Sequence, residues 1–163
     1  MRVPRAAAVL VLVAGCLTAC TPPKKPILGL TAPDGRPTAV LVSCGGFTTV
    51  SVYRNDAEAP PMTGAGSGWR TTADHTPAGV IEIPLLGPPP AGWSLSGTAD
   101  MRLEPGVPYS LGGTAGEDAI PVDFTAGDLD RIPAGSVLTV NHDRDERIVD
   151  RDTFETDAKD ACS

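Results

Sequence analysis

The chain has 163 residues, of which 41% are apolar and 20% are charged, and its formal net charge at pH 7 is −7. Cleavage of an N-terminal signal over residues 1–19 would remove the positive charges of Arg2 and Arg5 and so leave −9. Such an acidic chain is not expected to bind nucleic acid or an anionic lipid surface directly. The length allows one domain with one hydrophobic core.

The first 20 residues have the layout of an export signal. Arg2 and Arg5 precede an apolar stretch over residues 6–17, which is too short for a spanning helix of about 20 residues. The sequence L-T-A-C that ends at Cys20 resembles the lipobox of bacterial lipoproteins. In that family the signal is cut before the cysteine, which then carries fatty acyl chains such as palmitate. The resemblance therefore implies an exported protein held on the outer face of the cytoplasmic membrane through Cys20.

A second lipobox-like sequence, V-A-G-C, ends at Cys16, and its spacing does not exclude it. Cysteine parity favours Cys20, because cleavage there discards Cys16 and leaves Cys44 and Cys162 as an even pair. In an oxidising compartment we expect that pair to form a structural disulfide. Their separation of 118 residues gives no CxxC spacing for a metal or redox site.

Residues 20–37 contain five prolines and show no sustained periodicity, so they are predicted to form a linker between the anchor and a domain at 38–163. In that domain, short apolar stretches broken by glycine and proline favour strands over helices. The stretches that fit strands are residues 38–42, 47–53, 69–72, 79–83, 93–103, 108–111, 120–124, 136–140 and 147–149. Strands at this spacing predict an all-β fold of two packed sheets, with a partly open barrel as the alternative.

A local motif specifies the kind of sandwich. The sequence L-E-P-G-V-P-Y-S-L over residues 103–111 resembles the corner of fibronectin type III domains, in which the tyrosine hydroxyl bonds back to the backbone. The resemblance implies an immunoglobulin-like β-sandwich in which Tyr109 has that role.

Two short helices are predicted. The first begins after Thr125, because Asp128 follows at capping-box spacing. The second is C-terminal, over residues 152–161, with Asp152 or Thr153 as its cap.

Residues 141–152 are the best candidate for a metal site. Asn141, Asp143, Asp145 and Asp152 supply oxygens at positions 1, 3, 5 and 12 of a calcium-loop spacing. Against calcium, Glu146 stands where such a loop needs glycine, and three arginines in the stretch would repel the ion. The favoured interpretation is a solvated hairpin tip, and no cofactor other than calcium is suggested.

Other functional patterns are weaker. His75 and His142 have carboxylates nearby in sequence, but no G-x-S-x-G turn holds a nucleophile. The glycine-rich residues 64–68 lack the strand-to-helix context of a phosphate loop. Trp69 and Trp93 are candidates for a carbohydrate or peptide groove, although core positions are the commoner use of tryptophan in so small a sandwich.

The sequence thus predicts a lipid-anchored, non-catalytic interaction module whose partner is an envelope protein. A small envelope hydrolase and a calcium- or carbohydrate-binding module are the alternatives. Partner identity and oligomeric state are left open by the sequence.

Overall fold

In a computed structural model of the chain, residues 24–55 and 68–163 are described. Cys16, Cys20 and most of the glycine-rich segment at 64–68 lie outside these ranges. The described residues form ten strands and two α-helices: β1 (Leu28–Thr31), β2 (Thr38–Val42), β3 (Thr48–Arg54), β4 (Gly68–Ala73), β5 (Val80–Pro84), β6 (Trp93–Gly97), β7 (Tyr109–Ala115), β8 (Val122–Phe124), α1 (Ala126–Leu129), β9 (Ser136–Val140), β10 (Glu146–Asp150) and α2 (Arg151–Ala161). A 3₁₀ turn (Pro33–Gly35) joins β1 to β2.

The strands form two antiparallel sheets that pack as a sandwich. One has the order β10-β9-β1-β2-β5 and the other has the order β6-β4-β3-β7-β8. In an immunoglobulin-like sandwich the first two strands of the chain likewise lie in one sheet, while the third strand lies in the other sheet with the late hairpin. The β9–β10 hairpin, which is paired to β1, extends the first sheet. The predicted all-β sandwich with a short C-terminal helix is confirmed.

The core is a single cluster of apolar side chains contributed by both sheets. Fully buried members include Leu30, Leu41, Val52, Trp69 and Leu111. The β-branched and leucine-rich runs that predicted strands therefore form the core, because burial of apolar area is the main favourable term in folding.

Helix α2 covers the outer face of the first sheet. Its Phe154 and Ala158 are 1% and 0% exposed. A Cβ atom added at Gly29 of β1 would overlap Val137 and lie 3.3 Å from Phe154 Cε2, so Gly29 leaves the room into which the helix packs. The other sheet covers the inner face of β2 and α2 covers its outer face, and for this reason all five residues of β2 are buried.

The predicted linker over residues 20–37 is wrong from Lys25 onward, where the chain already pairs with the backbone of the folded domain. Residues Leu28–Thr31 form β1, which lies at the centre of the first sheet between β9 and β2. The four residues are too few to show periodicity, and Gly29 interrupts them. Their strand conformation is stabilised by pairing with residues that lie more than 100 positions later in the chain.

The predicted tyrosine corner is confirmed. The hydroxyl of Tyr109 accepts a hydrogen bond from the Glu104 N–H at 2.9 Å and lies 3.4 Å from the Arg102 carbonyl oxygen, to which it donates. Tyr109 is 1% exposed, and its ring packs 6.0 Å from that of Phe124. The corner fixes the point at which the chain enters β7.

Two predictions about the ends of elements differ from the structure. The strand expected over residues 93–103 ends at Gly97, because this glycine has a φ of 108° and approaches the Gly68 carbonyl oxygen too closely for a side chain. The cap of α2 is Asp150 rather than Asp152 or Thr153: its carboxylate accepts the Thr153 N–H at 2.9 Å. The expected short helix after Thr125 is confirmed as α1.

Among residues 24–55 and 68–163, no helix has the length and apolarity required to cross a membrane.

Candidate functional site: a cleft on the open side of the sandwich

An open cleft of about 310 Å³ lies where β8 of one sheet faces the β9–β10 hairpin of the other. Aromatic, aliphatic and charged side chains contribute to its lining, among them Tyr53, Ile120, Asp123, Val140, Arg144 and Glu146. The lining residues come from β3, β7, β8, β9, β10 and the loops beside them, so only the folded sandwich brings them together.

Hydrogen bonds fix parts of this lining. Ser110 Oγ donates to Asp123 Oδ1 at 2.6 Å, which joins β7 to β8 at the cleft. Arg144 has a φ of 68°, and its N–H donates to the Asn141 carbonyl oxygen at 3.1 Å. A non-glycine residue in the left-handed region costs on the order of 1 kcal/mol or more. The hairpin tip thus keeps a strained arginine at the rim of the cleft.

Strand β10 extends the cleft along the sheet edge. Side chains alternate along a strand, so Ile148 shares a face with Glu146, which lines the cleft. Ile148 is 39% exposed, and β10 pairs with β9 alone among the described strands. An edge strand of this kind presents backbone N–H and C=O groups that another chain can pair with.

The candidate calcium ligands do not converge. Asn141 Oδ1 accepts the Asp145 N–H at 2.8 Å, and Asn141 Nδ2 donates to Asp145 Oδ2 at 3.1 Å, so these groups close the hairpin tip on themselves. Asp143 lies exposed in the same tip, whereas Asp152 lies in the first turn of α2, beyond the five-residue strand β10. Within the described ranges, no group of three or more His, Cys, Asp or Glu residues is placed to hold a metal ion.

A second groove, of about 390 Å³, runs beside α2 and includes His142. Its other lining residues are Pro26, Asn141, Arg147, Asp157, Asp160 and Ala161. Arg147 Nη2 pairs with Asp157 Oδ2 at 2.7 Å, while the buried Arg147 Nε has no hydrogen-bond partner among the described residues. The described lining brings no Ser, Thr or Cys side chain to His142, and its carboxylates are those of Asp157 and Asp160.

The other histidine lies elsewhere. His75 is exposed in the loop after β4 and packs against Gly92, where an added Cβ would lie 2.9 Å from its Cε1. The neighbouring Asp74 accepts a hydrogen bond from Ser94 Oγ at 2.6 Å. His75 and His142 therefore belong to different sites.

The two tryptophans are parts of the core or its margin. Trp69 is 0% exposed, and its Nε1 donates to the Gly87 carbonyl oxygen at 3.1 Å. A fully buried ring cannot line a groove, so the structure does not support Trp69 as a ligand-binding residue. Trp93 is partly buried and packs against the core.

The predicted disulfide between Cys44 and Cys162 is present. It joins the end of α2 to the loop that follows β2. The helix is also tied to the first sheet at its start, where Arg151 Nη2 pairs with Glu82 Oε1 of β5 at 2.7 Å.

The shifted carboxyl pKa values belong to helix caps and ion pairs rather than to the cleft. Hydrogen bonds from Thr153 lower the pKa of Asp150, and the bond from the Thr125 backbone N–H lowers that of Asp128. The pKa of Glu155 is lowered chiefly by its hydrogen bond with Arg151. These groups stabilise α1 and α2.

No family model, curated protein or solved structure matches this chain. The fold and the cleft therefore define the class on their own: an all-β sandwich of immunoglobulin-like architecture, closed by a disulfide and bearing an open edge strand beside a mixed polar and apolar cleft.

Proposed function

We propose that this chain is an exported lipoprotein, anchored through Cys20 at the outer face of the cytoplasmic membrane, that binds an envelope protein without catalysing a reaction. The lipobox-like sequence before Cys20 supports the anchor. The disulfide supports export, because such bonds persist in oxidising compartments. The fold begins at most a few residues after Cys20, which suits a domain that works close to the membrane.

The single observation that carries the binding role is the cleft with the exposed Ile148 beside it. Tyrosine and arginine are the residue types enriched at interaction hot spots, and Tyr53 and Arg144 both contribute to the lining. The open edge of β10 adds backbone groups that an extended segment of a partner would pair with. The proposed ligand is therefore an extended peptide segment of an envelope protein.

Arg144 adds a second argument. Glycine or asparagine is better suited to its left-handed backbone conformation than arginine. Residues in strained backbone conformations cluster at binding and catalytic sites, where the surrounding structure holds them in place. We assign the Arg144 guanidinium at the cleft rim to contact with the bound partner segment.

Site-specific photo-crosslinking in cells tests the proposal. A photoreactive amino acid replaces Ile148 in the full-length protein, and the control replaces Arg36, which is exposed in the β1–β2 turn. We expect a discrete adduct with an envelope protein from position 148 and none from position 36. Equal adduct patterns from the two positions would contradict the assigned surface.

The variant Arg144→Gly separates binding from folding. Glycine relieves the left-handed backbone cost, so the free energy of unfolding should not fall. The adduct from position 148 should nevertheless weaken, because the guanidinium is lost. An undiminished adduct would remove Arg144 from the proposed interface.

A further inference from the structure

The place where the chain enters the fold is fixed by backbone hydrogen bonds. The N–H of Lys25 donates to the Asp118 carbonyl oxygen at 2.8 Å, and the Lys25 carbonyl oxygen accepts the Ile120 N–H at 2.8 Å. Lys25 Nζ lies 3.6 Å from Glu117 Oε1. From Lys25 onward, the chain is therefore fixed as part of the folded domain.

Covalent geometry limits how far this entry point can lie from the lipid anchor of the proposed function. Four residues separate Cys20 from Lys25. Five Cα–Cα steps span at most about 18 Å even when fully extended. The head-group layer of a leaflet is itself on the order of 6 Å thick. The end of the sandwich that contains Lys25 thus lies directly over the head groups.

Phe47 lies at the same end. Its carbonyl oxygen accepts the N–H of Gly116 at 3.1 Å, and Gly116 directly precedes Glu117, the ion-pair partner of Lys25. The Phe47 side chain is 63% exposed, the highest value among the large apolar residues that the structure describes.

The loop that carries Phe47 is firmly held. Cys44, three residues earlier, is bonded to Cys162 and also donates its N–H to the Ala115 carbonyl oxygen at 3.0 Å. A Cβ atom at Gly116 would overlap the Gly45 carbonyl oxygen, so the two turns pack backbone against backbone. The ring is therefore presented outward from a fixed base.

We propose that this end of the domain docks on the lipid bilayer, with the Phe47 ring inserted among the head groups and upper acyl chains. This inference rests on the proposed anchor at Cys20. The anchor brings an apolar phase within reach of an exposed aromatic ring, and transfer of that ring from water is favourable. The chain is acidic and Lys25 is already paired, so insertion of the ring rather than attraction to anionic head groups drives the docking.

Docking of this end orients the rest of the molecule. The β9–β10 loop lies at the docked end, since Pro26 and Asn141 line one groove. The turn Pro33–Gly35 lies at the other end of β1 and β2 and faces away from the bilayer. The cleft then opens sideways, a short distance above the membrane surface, where segments of membrane-bound partners are reached.

Tryptophan quenching by lipid tests the docking. The full-length lipidated protein is purified in detergent and reconstituted into phosphatidylcholine vesicles whose acyl chains are brominated near the head group. The variant Phe47→Trp places a reporter in the docked loop. Its matched control, Arg36→Trp, places one in the exposed turn at the opposite end. The wild-type signal from Trp69 and Trp93 is subtracted.

We expect the emission added by Phe47→Trp to fall at least about twofold in brominated vesicles, as for a ring at the depth of an interfacial aromatic residue. The emission added by Arg36→Trp should stay unchanged. Equal quenching at the two positions, or none at position 47, would overturn the docking. Phe47 would then be assigned to contact with a protein partner.

Two further measurements separate this proposal from the anchor on which it rests. Flotation with the vesicles reports the anchor: protein that stays at the bottom of the gradient refutes attachment through Cys20 and the docking with it. An insertion of about twelve Gly and Ser residues after Thr21 lengthens the tether. Quenching of Phe47→Trp that persists with the long tether supports insertion, whereas its loss shows mere proximity and overturns the proposal.

Discussion

The Cys44–Cys162 disulfide spans 118 residues and so encloses nearly the whole folded domain. The double variant Cys44→Ala/Cys162→Ala removes this closure. Alanine is the suitable replacement, because both cysteines pack partly buried against the core and serine would place a hydroxyl there.

The expected loss follows from the entropy of the unfolded chain. For a loop of this length, the chain-entropy model gives a stabilisation of about 5 kcal/mol at 25 °C. Domains of this size are stable by about 5–15 kcal/mol in total, so the loss is a large fraction of the whole. Helix α2 should stay docked in the variant, because Phe154 and Ala158 remain buried and Arg151 still pairs with Glu82.

Guanidinium denaturation of the mature protein in mild detergent, followed by the fluorescence of the buried Trp69, measures the difference. The m value should rise in the variant, because an unfolded chain without the cross-link exposes more surface. The reduced wild-type protein is the second comparison and should match the variant. A difference below about 1 kcal/mol between oxidised protein and variant would refute the reasoning from loop closure.

Four shorter predictions follow from the fold. Tyr109→Phe should lower the free energy of unfolding by about 1 kcal/mol in a denaturant titration, because the corner loses its hydroxyl bonds; an unchanged value would deny the corner a stabilising role. Gly29→Ala should lower the free energy of unfolding by about 1–3 kcal/mol in the same assay, because a Cβ has no room there. The variant should also speed amide hydrogen exchange in α2 around Phe154, and unchanged protection of α2 would contradict this packing. Thr153 lowers the pKa of Asp150 below its ordinary 3.8, so the ionised cap stabilises the fold above that pH, and this stabilisation is lost as the pH falls through the lowered pKa. Asp150→Asn removes this titration, so the difference in free energy of unfolding between wild type and variant should be smaller at pH 2 than at pH 5. The melting temperature should be the same in calcium as in chelator to within about 1 °C, because the candidate ligands do not converge, and a larger increase with calcium would restore the metal site.

Local sequence predicted the parts of the fold that depend on local chemistry. The runs at β2 and β9 are rich in valine and leucine, and the structure forms both strands over the predicted residues. The tyrosine corner was predictable as well, because its hydrogen bonds lie within seven residues of chain.

Features that depend on distant contacts were not predictable. Strand β1 has only four residues, and pairing with β9 and packing under α2 stabilise it. The cleft residues Tyr53, Asp123 and Arg144 come from three separate parts of the chain, so no spacing in the sequence relates them. Phe47 and Ile148 stand in stretches predicted as strands, and the structure shows that both side chains are exposed.

The attachment of the domain through Cys20 is the claim on which both the binding module and the membrane docking depend. Mass spectrometry of the protein extracted from membranes tests it most directly. After trypsin digestion, the account predicts an N-terminal peptide over residues 20–24 that carries diacylglycerol on Cys20. An acylated peptide that begins at Cys16, or an unmodified Cys20 within a longer peptide, would contradict it.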